Sequence, residues 1–359
     1  MLTAFIFLAV LGILIVVHEF GHFIIAKKIG VRVEKFSFGF GLRLITKKMK
    51  DTEYSISAIP LGGYVKMAGD NLEEFQGKPD EYFSKPPGKR FWIIVFGPLL
   101  NYILGFLLFW LIFFVGYPTL TTKVGGLIDG LGAKAADIRV GDKIIAVDGE
   151  AVDYWEDLQE IIHSKKEAAK VRLSVLRDSQ EYSIDVFIKE QAVDDVLGQK
   201  RNVGLLGITA SDEIKEVRHG FLESFSLGLD KTFELTVLTF KALRMMFTGK
   251  LSMKDSVTGP LGIFYITSQA ARLGVIAILH FMAVLSVSLA IFNLFPLPVL
   301  DGGHILFLAV EKARGRTLSI KVERVINQIG VTVIVSLALV VTYNDIMRFF
   351  GDKISNIFK

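Results

Sequence analysis

His18, Glu19 and His22 stand as H-E-x-x-H in the stretch VVHEFGHFIIAKK, residues 16 to 28. On a helix, residues four apart share a face, so both imidazoles can ligate one ion. Glu19 is displaced by about 100°, where a carboxylate reaches a water beside the metal rather than the metal itself. The motif lies inside an apolar segment, where each charged group costs a few kcal/mol on insertion scales. That cost argues for a function over a chance match or a self-satisfied His–Glu pair.

A third ligand is required. The extended form H-E-x-x-H-x-x-G-x-x-H is excluded, because Ile25 and Lys28 fill its Gly and His positions. The chain has no cysteine, so the ligand must be His, Asp or Glu. NLFPLPVLDGGH, residues 293 to 304, offers Asp301, expected at the inner end of an apolar span. The competing reading of Asp301 is a cap or an Asp-Gly turn. His304 and Glu34 are rival ligands. His280 reads as interfacial, and His163 and His219 as solvated. Two histidines and one aspartate leave a fourth zinc position open for water, the pattern of peptide hydrolysis with Glu19 as general base. Pro296 and Pro298 remove backbone donors and free carbonyls. Asn293 carries an amide suited to an extended substrate or a developing oxyanion, or to a helix–helix hydrogen bond.

These residues need a membrane scaffold. The chain of 359 residues is 51% hydrophobic and 22% charged, the balance of an integral membrane protein. Four apolar stretches are long enough to span a bilayer: Leu2 to Ala26, Phe91 to Val115, about Leu273 to Leu300, and Val325 to Tyr343. The first lacks a basic leading region and a cleavage site and is read as retained. Lysine and arginine crowd after span one, before span two, and between spans three and four, which assigns those regions to the cytoplasm. The N-terminus and the long region between spans two and three are then outside. Nothing in the pattern calls for a nucleic-acid partner.

Between spans one and two, VEKFSFGFGLRLI and YSISAIPLGGYVKM alternate like strands, either as a small cytoplasmic sheet or as one dipping into the membrane face. Residues 116 to 210 form an α+β module. Gly220 to Phe247 has helical spacing with interleaved charge, fitting a helix at the interface or packed on the spans.

Together these features resemble the site-2 protease family, the zinc metalloproteases of regulated intramembrane proteolysis, and its bacterial branch that cleaves membrane-bound anti-sigma factors. HEFGH, GFG at 39 to 41, PPGKR at 86 to 90, GPLLN at 97 to 101, SVTGPLGI at 256 to 263 and the N-x-x-P-x-P-x-L-D-G pattern carry the resemblance. It implies Zn²⁺ held by His18, His22 and Asp301, catalysis by Glu19 and substrate handling by Asn293; the irregular segment broken by Pro296 and Pro298 is read from the residues themselves as a place where a substrate helix can unwind. It also implies a polytopic α-helical fold with four transmembrane helices, a membrane-associated β-sheet and an inserted PDZ-like domain. The organisation expected is residues 1–115 with the β region at 27–90, a 116–210 PDZ-like domain, a 211–271 amphipathic and connecting segment, and 272–359 with the last two spans. AKAADIRVGDKIIAVDGE resembles a PDZ domain, circularly permuted in this family, so Gly204 and Gly207 fall in the loop that would take a peptide C-terminus. The implied substrates are single-span proteins of a bacterial inner membrane, such as anti-sigma factors or signal-peptide remnants, cut after an earlier extracytoplasmic cleavage. A zinc-binding transporter and a non-catalytic PDZ scaffold are the competing classes.

Overall fold

The structure, a computed structural model, describes residues 2–165, 169–195, 197, 199–252 and 257–357. Ser256, which opens SVTGPLGI, lies outside the described residues. The chain divides into two compact units, one of residues 1–112 and 222–359 and the other of Phe113–Phe221.

The first unit begins with α1 (Leu2–Ile29), whose 28 residues rise about 42 Å, enough to cross a bilayer. Two long strands follow, β1 (Val33–Met49) and β2 (Thr52–Met67). Both bend, so Phe36 pairs with Val65 and also with Tyr54. The segment Gly63–Met67 therefore forms an outer limb of the sheet, and β2 packs beside α1. α2 (Pro87–Val115) starts with proline, which lacks the N–H that a helix start leaves unbonded anyway.

The second unit contains β3 (Tyr117–Leu120), β4 (Val124–Leu127), α3 (Gly132–Ala135), β5 (Lys143–Val147), β6 (Glu150–Ala151), α4 (Trp155–His163), β7 (Lys170–Arg177), β8 (Gln180–Phe187), β9 (Lys189–Asp194), β10 (Lys200–Leu205), β11 (Ile208–Ala210) and β12 (Ile214–Val217). A four-stranded sheet in the order β6-β5-β7-β8 covers a core that includes Ile144, Val147, Leu158, Leu173, Val175 and Val186. Inward residues alternate along β7, the pattern of a sheet with one buried face. His219, expected to be solvated, instead stacks on Tyr117 and sets its ring edge-on to Phe113.

The chain returns through α5 (Phe221–Phe247). Its small residues lie against α2: a Cβ on Gly228 would come 2.9 Å from the Trp110 nitrogen, and Tyr102 and Thr236 hydroxyls meet at 3.0 Å. A helix absent from the sequence reading follows, α6 (Pro260–Leu273), pinned by the buried Asp345 carboxylate accepting from the Gly262 N–H at 2.8 Å.

The remaining helices are α7 (Val275–Asn293), α8 (Asp301–Arg314) and α9 (Ile320–Ile357). His280 on α7 is exposed and sets its ring edge-on to Phe109. Two boundaries differ from expectation. The third apolar stretch stops being helical at Asn293, because Pro296 and Pro298 cannot donate backbone bonds. Asp301 does not close that span but is the first residue of α8, where an acidic side chain complements the helix dipole. Between them, Val299 holds φ +79, a region that a β-branched residue rarely enters. Among the described residues, α1, α2, α7 and the Ile320–Arg348 part of α9 are long and apolar enough to cross a membrane.

Candidate active site

α1 and α2 approach so closely that a Cβ on Gly21 would overlap the Phe96 carbonyl. One residue on, Gly97 leaves the room that the His22 ring occupies, and any Cβ there would overlap that ring. The x residues of the motif are thus not free: glycine at 21 is what brings α2 onto the histidine face.

His18 Nε2 and His22 Nε2 lie 3.1 Å apart. Asp301 Oδ2 is 3.2 Å from His18 Nε2, and Oδ1 is 3.6 Å from His22 Nε2. The three side chains are 12–16% exposed. These three residues form a group whose ligand atoms lie within 4.8 Å of one another.

The donor chemistry tests whether a cation belongs there. His22 Nδ1 lies 2.8 Å from the Ile93 carbonyl, an acceptor only, so Nδ1 carries the proton and donates. Nε2 of His22 then presents a lone pair towards a carboxylate. Asp301 Oδ2 is buried with no hydrogen-bond partner. Converging lone pairs repel unless a cation lies between them. The observed spacings also match the edge of roughly 3.3 Å expected for a tetrahedron with ligand bonds of about 2.0–2.1 Å. The residues fit zinc.

Glu19 sits one residue along from His18, half-buried, and lines the same cavity of about 310 Å³ with His22, Val65, Arg90, Asp301, His304 and Glu311. A Cβ on Gly63 would come 3.4 Å from the Glu19 Cγ, and Val65 lines the same cavity. The outer limb of the sheet therefore runs past the site. Arg90, 3% exposed, pairs with Glu311 of α8 and donates to the Lys85 carbonyl at 2.9 Å. Its guanidinium also lies over the rings of Tyr82 and Phe83. Sequence places Arg90 only in PPGKR and among the basic residues before span two, and no side-chain pattern points to the Ile93 carbonyl.

Other expected residues lie elsewhere. Asn293 ends α7 half-buried and does not line the cavity, nor do Pro296 and Pro298. Instead this segment packs on neighbouring helices: a Cβ on Gly303 would overlap the Leu297 carbonyl, and one on Gly330 would meet Pro298. The rival His304 lines the cavity but is not in the ligand group, and Glu34 pairs with Arg32 at 3.1 Å. In the second unit, Gly207 lines a small groove with Leu205, Leu206, Ile208, Trp155, Leu158 and Ile162, and His163 sits beside it. Gly204 does not line that groove. It is paired with Glu190, and the Ile162 carbonyl leaves no space for a Cβ.

A metal-fitting triad, two of whose members line one cavity with the Glu19 carboxylate among apolar helices, defines the class of membrane-embedded metallohydrolases. Comparison with known proteins gives the same class. The model of peptidase family M50 matches residues 6–337, and the chain belongs to that family. It is 31% identical to the regulator of sigma-E protease RseP of Escherichia coli, covering 95% of this chain and 98% of that one. The regulator of sigma E protease of Haemophilus influenzae is 29% identical over the same shares. A Rickettsia conorii protein provisionally named a zinc metalloprotease is 33% identical, covering 98% of this chain and 100% of its own. Among solved structures, the PDZ domain of an SdrC-like protein of Listeria innocua is similar at 19% identity, covering 26% of this chain and 96% of that one, with a TM-score of 0.21. The chain is a multi-pass intramembrane zinc metalloprotease, and the transporter and scaffold alternatives fall away.

Proposed function

We propose that the enzyme hydrolyses peptide bonds within or near the membrane span of single-span proteins, with zinc held by His18, His22 and Asp301. The observation that carries this reading is the 3.2 Å approach of Asp301 to His18, in a cavity that Glu19 also lines.

When bound, zinc supplies a Lewis acid that polarises the scissile carbonyl and acidifies a water to near neutrality. Glu19 takes the proton of that water and returns it to the leaving nitrogen. His22 is held for its role by the Ile93 carbonyl, which fixes the tautomer. A helical substrate has no free amide to cut, so it must unwind. The Gly63–Met67 limb beside Glu19 gives an extended segment backbone partners in place of the lost helical bonds. Asn293, Pro296 and Pro298 act through the segment between α7 and α8 that sets Asp301, rather than as cavity walls.

The lysines and arginines at 27–50, 85–90 and 312–324 support a cytoplasmic face there. The N-terminus and residues 116–210 then lie outside the cytoplasm of a bacterial inner membrane. Residues 116–210 act as a PDZ-like module, whose Leu205–Ile208 loop takes the C-terminus of a peptide left by an earlier cleavage, as in anti-sigma factors or signal-peptide remnants.

Glu19→Gln is the deciding variant. Cleavage of a co-expressed single-span substrate should be lost while the purified protein keeps its zinc. Unimpaired cleavage overturns the assignment.

A further inference from the structure

We infer that a second, acidic cleft beside the catalytic cavity takes the basic flank at the cytoplasmic end of a substrate's membrane span. This rests on the orientation and substrate class proposed above.

The cleft has a volume of about 790 Å³ and lies between the Asp70–Glu73 loop after β2 and the first turns of α9, as far as Thr332. It shares Asp70, Leu72, His304 and Glu323 with the catalytic cavity, so the two adjoin. His304 stands one helical turn beyond Asp301 and lines both. In the inferred complex, a chain whose scissile bond lies beside Glu19 runs on into this adjoining cleft.

The lining chooses the occupant. Asp70, Glu73 and Glu323 face the cleft, against the single guanidinium of Arg324. Arg324 pairs with Glu73, joining α9 to the loop across the cleft. Asn327 and Gln328 of α9 add side-chain amides to the lining, groups that can bond a peptide backbone. The cleft thus offers carboxylates for cationic side chains and amides for a backbone. Single-span proteins carry lysine and arginine at the cytoplasmic end of the span. Such a flank competes with Arg324 for Glu73, and complementary charge fixes its register. Holding the flank at a set distance from Glu19 selects which bond is cut.

The test uses the full-length enzyme in phosphatidylcholine vesicles and two substrates with one identical span. The cytoplasmic flank is lysine-rich in one and glutamine-rich in the other. KM should be about tenfold lower for the lysine flank, as expected for two or three partly exposed charge contacts. In the Glu73→Lys/Glu323→Lys enzyme the preference should reverse towards a glutamate-rich flank, a gain that misfolding cannot produce. Equal KM values in the wild type, or a lysine preference that survives the charge swap, overturn the inference. Binding is read separately by photo-crosslinking from position 328 in the Glu19→Gln enzyme. A lysine flank that does not crosslink there overturns this cleft even where cleavage proceeds. A flank that crosslinks but is not cut by the wild type supports the cleft and overturns the proteolytic reading of that substrate.

Discussion

His22 Nδ1 donates to the Ile93 carbonyl at 2.8 Å, across the interface between α1 and α2. One backbone oxygen thereby decides which nitrogen of a proposed ligand faces Asp301. The second span is part of the metal site without contributing a side chain to it. Outer contacts of this kind are typically worth 10–100-fold in metal affinity.

Gly97→Ala tests that arrangement. The added methyl overlaps the His22 ring, and the neighbouring backbone cannot yield while Gly21 abuts Phe96. Zinc content and cleavage should both fall at least about tenfold. Gly88→Ala, on the same helix with nothing within 4 Å of its Cβ, should change neither. Metal analysis of the two purified variants decides the matter.

Removing the third proposed ligand should be more severe. Asp301→Ala leaves two imidazoles facing an open cavity. Zinc affinity should drop by more than the roughly 100-fold upper range of an outer-shell loss. Competition with a chelator reads this directly, and retained stoichiometric zinc at low free metal would count against Asp301.

The Arg90–Glu311 pair fastens the start of α2 to the cavity face of α8. Arg90→Ala or Glu311→Ala alone strands a buried charge and should cost about 3–5 kcal/mol. The double variant Arg90→Met/Glu311→Leu should recover most of that loss, since a buried pair exchanged for packed apolar groups is often neutral. Thermal unfolding in detergent distinguishes the three proteins.

The second unit should be acid-sensitive at one point. Burial pushes the Asp142 carboxyl up, but hydrogen bonds from Arg177 and from the Arg139 N–H outweigh it and hold it below its ordinary 3.8. A carboxyl lowered by folding stabilises the fold fully above 3.8, and that contribution is lost as pH falls through the lower, folded value. Hydrogen exchange in β5 should therefore accelerate below about pH 4. In Arg177→Gln the acceleration should begin at a higher pH. A profile unmoved by that substitution would refute the coupling.

How far the chain could be read without coordinates differs from element to element. The spans, the two strands and H-E-x-x-H were legible, because hydropathy and a four-residue helical offset act locally along the chain. Asp301 was found as a candidate partner, but its setting was not. It was expected to end a span and it begins a helix, since local pattern cannot say whether the chain resumes as a helix after Pro296 and Pro298.

Composition and periodicity by themselves determined that this is a membrane protein with a metal-type helix face in its first span. Lipid tolerates buried ionisable groups only at a cost, so their presence there already carries information. Only tertiary structure decided which carboxylate meets the imidazoles, which carbonyl orients His22, and that Arg90 closes on Glu311. Those contacts join residues distant in sequence. Their geometry depends on glycines at helix crossings and on backbone oxygens, which no side-chain pattern encodes.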